Sequence, residues 1–140
     1  MRLIDARTGI EVLERDECLR RLRSDLIGRL AVIDAGTPAL MPVNYAMDGD
    51  SVVFRSGPGT KLAAAGRARA AFEVDSFDRS SRAGWSVVVT GRLEEVTAAG
   101  RFEHLLTLPV ESWAPGERIH WLRLVPERIT GRIVRPLPQG

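Results

Sequence analysis

The sequence predicts a mainly β domain, α+β by content, in which six antiparallel strands form a closed or split barrel with two or three short helices. Short apolar runs recur along the chain, separated at close intervals by glycine, proline and aspartate turn signals, and such spacing favours hairpins over a parallel doubly wound sheet. Short strands in this number would expose several edges, which a barrel removes. The 140 residues suit one domain with a buried core. Residues 1–140 therefore read as a single unit with its core in 24–134 and a loose tail at 135–140.

The elements follow in order. Residues 11–24 place Cys18, Leu19, Leu22 and Leu26 at helical spacing among charges, an amphipathic helix. Gly28–Asp34 reads as a strand closed by the turn Asp34-Ala35-Gly36. Pro38–Asp48 is the next strand. Pro42 lacks a ladder donor and marks an edge or bulge there. Asp48-Gly49 makes a tight turn into the strand Ser51–Ser56. The glycine-rich stretch 57–66 (GPGTKLAAAG) enters a short alanine-rich helix. Residues 69–77 form a strand, 85–96 a long strand bent or bulged at Gly91, and 97–108 a second amphipathic helix. The chain ends in a strand pair or kinked strand over 119–134.

Composition narrows the functional classes. The net charge is +2, with 19 arginines and one lysine, Lys61. Acidic residues are interspersed with the basic ones and aromatics make up 6% of the chain, so the clustered basic and aromatic pattern of a nucleic-acid binder is missing. No apolar run approaches the ~20 residues of a membrane span, and the N-terminus lacks a signal peptide's apolar stretch. These features lead us to expect a cytoplasmic protein without a nucleic-acid or membrane partner. The lone Cys18 has no intramolecular disulfide partner, and with only His104 and His120 beside it no Cys/His zinc site is expected.

The segment FRSGPGTKL (54–62) carries the most suggestive chemistry. Its glycines let backbone approach a ligand, and a loop entering a helix presents open N–H groups. Arg55, Ser56, Thr60 and Lys61 add two cations and two hydroxyls, a set that suits a phosphate monoester. A plain loop with Thr60 capping a helix accounts for the same spacing. The segment does not match the Walker A pattern.

The ordered succession GRLAV, PVNY, VVFRSGPGTKLAAA, AAFEVDSFD, RAGWSVVVTGRLEEV and HWLRLVPERITGR resembles the FMN-binding split-barrel family related to pyridoxamine 5′-phosphate oxidase, especially its short actinobacterial members. The resemblance covers roughly 24–134. It implies a six-stranded split β-barrel and a homodimer holding two flavins in grooves between protomers. Pro42, Val43 and Asn44 would pass along the isoalloxazine edge, although Asn44 also suits a strand-end turn. Phe54, Arg55, Ser56, Thr60 and Lys61 would hold the ribityl phosphate. Trp85 and Ser86 would start the strand at the dimer groove, and Trp121 with Arg123 would match the family's late Trp-x-Arg element. Core or dimer packing explains both tryptophans as well. Glu73 and Asp75 alternate with Phe72 and Val74 and suit ion pairs with nearby arginines rather than catalysis.

The resemblance implies an FMN-dependent oxidoreductase acting on a small molecule. A deazaflavin coenzyme in the same groove, or a non-catalytic flavin-binding or storage role, is the alternative. Catalytic residues are not identifiable. The terminus ITGRIVRPLPQG carries Arg132 and Arg135 but no histidine, which argues against oxidation of pyridoxamine phosphate itself.

Overall fold

In the computed structural model of the chain, the described residues are 3–4, 10–56, 68–96 and 120–135. In chain order they form β1 (Leu3–Ile4), β2 (Glu11–Leu13), α1 (Arg15–Arg23), β3 (Ile27–Asp34), β4 (Thr37–Asp48), β5 (Ser51–Ser56), β6 (Arg69–Asp78), β7 (Ala83–Glu95) and β8 (His120–Val134). All pairings are antiparallel. The order β8-β5-β4-β3-β6-β7 returns to β8 through the β7–β8 pairing, so six strands close a ring. Strands β1 and β2 extend the sheet from β8, beyond the six strands expected.

Alternation along the strands sorts side chains inward and outward. Leu30 and Val32, Val52 and Phe54, Phe72 and Val74, Val87 and Val89, and Leu122 and Leu124 all join one buried core. Tyr45 closes it from β4. Its ring meets Phe72 edge-on at 4.8 Å, and its hydroxyl donates to the Leu22 carbonyl of α1. Burial pushes that hydroxyl's pKa well up, which keeps it a donor. Helix α1 packs against the barrel with Cys18 and Leu22 fully buried.

Two sequence signals act as expected. Over residues 37–44 the only partner of β4 among the described residues is β3; β5 pairs with β4 only from Tyr45 on. Pro42 thus sits on an edge and removes no ladder bond. At Gly91 the β7–β8 register shifts, because Thr90 faces Arg128 while Gly91 faces Pro126. Glu127 is the extra residue of this bulge. It resets the parity of β8, so that Leu122 and Leu124 before it and Ile129 and Ile133 after it all face the core. Glycine is required opposite it, since a Cβ on Gly91 would lie 1.9 Å from the Val125 carbonyl oxygen.

One expectation changes. Residues 11–13 are not the first turn of a helix but a strand, because Glu11–Leu13 pair with Gly131–Ile133. Of the two forms expected for the last segment, a strand pair or a kinked strand, the structure has the second, one bulged strand. The helices expected at 57–66 and 97–108 fall outside the described residues, where α1 is the single helix described.

Candidate functional site

The outward residues of β4, β5 and β8 form the candidate site. Register places Arg55 opposite Trp121, and Val53 opposite both Arg123 and Ala46. Ala46, Val53, Val96 and Trp121 form a second buried cluster outside the barrel, with Trp121 only 3% exposed. The Arg55 guanidinium lies 5.5 Å from the Trp121 ring centroid, a cation–π contact. Beside it, Arg123 Nη2 donates to Asp48 Oδ2 at 2.6 Å, with the two side chains 14% and 23% exposed. Arg123 Nε is buried and has no hydrogen-bond partner among the described residues. A buried, unmet donor beside a flat indole and a second guanidinium fits a flat ligand that bears both acceptors and an anionic group.

Five of the sequence-predicted residues, Asn44, Arg55, Ser56, Trp121 and Arg123, converge here or border it. Asn44 precedes the Tyr45–Phe54 pair on β4, while Arg55 and Ser56 follow it on β5 opposite Trp121 and His120. Arg123 completes the set. Val43 and Phe54 face the core, leaving only their backbones for a ligand. Pro42 lies two residues before Asn44 on the same strand, opposite Arg29 of β3. Thr60 and Lys61 lie outside the described residues.

Trp85 and Ser86 sit elsewhere. Trp85 packs against the core, with the Arg21 guanidinium 5.1 Å from its ring. It lies ten residues along β7 from Glu95, the register partner of Leu122, a run of roughly 33 Å. Within one protomer the structure therefore does not join Trp85 and Ser86 to the Arg55 patch.

A second outer face spans β4, β3, β6 and β7. Arg29 reaches Glu73 at 3.5 Å and Asp75 at 3.8 Å, the arginine pairing expected of those acids. Burial pushes the Glu73 carboxyl up to about 7, helped by its hydrogen bond to Asp75 and that residue's charge, while Arg29 pulls it down. Around this trio the face is apolar, with Leu40 73% and Ile33 56% exposed. An apolar groove of about 320 Å³ lies here, lined by Ala31, Ile33, Pro38, Ala71 and Thr90 among others.

Sequence reasoning did not single out Asp48 or Arg29. Asp48 reads as a turn residue, and its partner is 75 positions away. Arg29 lies within GRLAV, whose alternation shows an outward charge but not which strand faces it.

Among the described residues no cluster of His, Cys, Asp or Glu could hold a metal ion, and no helix is long and apolar enough to cross a membrane. An uncharacterized protein of Mycobacterium tuberculosis is 36% identical over 139 residues, covering 92% of this chain and 88% of that protein. The solved structure of a FAD-binding protein from Mycobacterium smegmatis matches with a TM-score of 0.78 and 32% identity, covering 89% of this chain and 98% of that one. A FAD-binding protein from Mesorhizobium loti matches with a TM-score of 0.75 and 28% identity over the same shares. Residues 14–133 match the family described as pyridoxamine 5′-phosphate oxidase. With the closed antiparallel ring and its relatives in agreement, this chain belongs to the pyridoxamine 5′-phosphate oxidase-like family of split barrels.

Proposed function

We propose that the protein is a flavin-dependent oxidoreductase that works as a homodimer and holds FMN over the β4–β5–β8 face. The observation that carries this reading is the pair Arg55 and Arg123 around the buried Trp121 ring, with an Arg123 Nε–H that meets no acceptor among the described residues, placed where β5 runs into the glycine-rich segment. Arg55, Ser56, Thr60 and Lys61 would take the phosphate, and the backbone of Pro42–Asn44 would run along the ring. A bound flavin supplies two-electron chemistry, while this chain contributes orientation, charge and exclusion of water. The relatives described as FAD-binding favour a flavin over a deazaflavin and make FAD the second ligand to titrate.

The exposed apolar face, along which residues 37–44 of β4 pair only with β3 among the described residues, supports the homodimer, because a second copy would remove Leu40 and Ile33 from water. Trp85 and Ser86 of one protomer would then have a route to the flavin of the other.

The deciding experiment is calorimetric titration of FMN, FAD and riboflavin against wild type and Lys61→Ala. Phosphate recognition predicts much tighter FMN than riboflavin binding. Loss of one charge-assisted contact in Lys61→Ala should cost ~1.5–3 kcal/mol, roughly ten- to a hundred-fold in FMN affinity, and leave riboflavin unchanged. Equal wild-type affinities for FMN and riboflavin would remove the phosphate role.

A further inference from the structure

The patch contains two arginines in different electrostatic situations. Arg55 lies against the face of Trp121, whereas Arg123 is tied to Asp48 by a short, largely buried ion pair. Arg123 has another acidic neighbour, Glu94, directly across the β7–β8 ladder. Yet among the described residues its ion-pair partner is Asp48, reached diagonally across β5 from the far end of β4. The pair therefore spans three strands and pins the guanidinium over the outer face.

Its consequence for a ligand is specific. A guanidinium already compensated by a carboxylate attracts a further anion weakly. Its remaining N–H groups stay directional donors of fixed geometry. Arg123 Nε–H is buried without an acceptor among the described residues, so burial has taken its water and no described group replaces it. A neutral carbonyl or ring nitrogen would satisfy it, and the flat, buried Trp121 ring lies two positions away on the same strand face.

We propose that Asp48 is a positioning residue of the flavin site: it holds Arg123 so that Nε–H meets a neutral acceptor on the flavin ring, while the phosphate falls to Arg55 and the glycine-rich segment. This rests on the flavin reading above. It divides the two arginines by task, ring for Arg123 and phosphate for Arg55.

The test measures FMN and riboflavin affinity, with the absorption spectrum of the bound flavin, for wild type, Asp48→Asn, Asp48→Glu, Arg123→Lys and the double variant Asp48→Asn/Arg123→Lys. Asp48→Asn should weaken both flavins equally, by about tenfold, and shift the bound absorption band, because a ring contact is common to both ligands. Asp48→Glu should recover part of the affinity. Arg123→Lys keeps a cation for Asp48 but removes the Nε–H, so it should show the same loss even if Asp48→Asn folds poorly. The double variant should be no weaker than either single change, the signature of one shared contact.

Unchanged affinity and spectrum in a folded Asp48→Asn or Arg123→Lys protein would overturn the proposal. So would a loss confined to FMN, which would assign Arg123 to the phosphate. Wild-type protein that binds neither flavin would instead defeat the functional reading beneath it.

Discussion

Over β4–β5–β8 the outward residues of the barrel are buried or half-buried, whereas over β4–β3–β6 they are half-buried or exposed, although the same alternation builds both. On the first face Trp121 is 3% exposed and Arg123 has its counter-charge within reach. On the second, Leu40 is 73% exposed, and Arg29 serves two carboxylates at 3.5 and 3.8 Å, too far for tight pairing. The first face covers its aromatic ring and pairs its arginine with a carboxylate of the same chain. The second leaves apolar surface and loosely paired charges open to solvent. Alternation thus decides which side of a strand a residue takes but not whether that side is covered.

The sharpest way to break this comparison is to truncate the covered face. Trp121→Ala should lower the unfolding free energy by about 3–5 kcal/mol, as for a large core aromatic. Urea denaturation should show that loss at every protein concentration. A cost under about 1 kcal/mol would mean that the outer cluster is not a true second core.

Leu40→Asp addresses the open face. Placing a carboxylate in an apolar contact between copies should weaken dimerisation about a hundredfold, equivalent to ~2.7 kcal/mol. Light scattering across a dilution series would detect it, and the wild type's concentration-dependent unfolding midpoint should flatten in the variant. Identical dilution behaviour would exclude this face from the dimer.

The smallest effect concerns Glu73. Its carboxyl titrates near 7 in the folded chain, against an ordinary value of 4.5. The folded state therefore holds the proton more tightly than the unfolded state. The associated stability is present below about pH 4.5 and is lost as pH rises through about 7. Glu73→Gln, which mimics the protonated form, should match wild type at pH 5 and be more stable at pH 8. The gain should be about 1–2 kcal/mol, reduced from the full linkage value because solvent reaches this partly exposed group. Thermal melts at the two pH values would check it, and a gain that is the same at both would show that Glu73 is not protonated near neutrality.

The sequence by itself determined the features that rest on local signals. Strand spans came through because inward and outward residues alternate, and the turn at Ala35-Gly36 because both residues take positive φ in a hairpin. The edge at Pro42 and the bulge at Gly91 were legible because each residue type carries its own backbone constraint. The ordered succession of segments from GRLAV to HWLRLVPERITGR pointed to the family. Tertiary structure alone decided which strands became neighbours. It turned Glu11–Leu13 from helix to strand, closed β7 on β8, and set Asp48 against Arg123 and Arg29 against Glu73 and Asp75. It also sent Trp85 to the α1 side of the barrel, far from Trp121 in the same protomer. The reason is physical. Turn and edge preferences act over a few residues, whereas pairing between distant segments is selected by the packing of a whole core, which no local window contains.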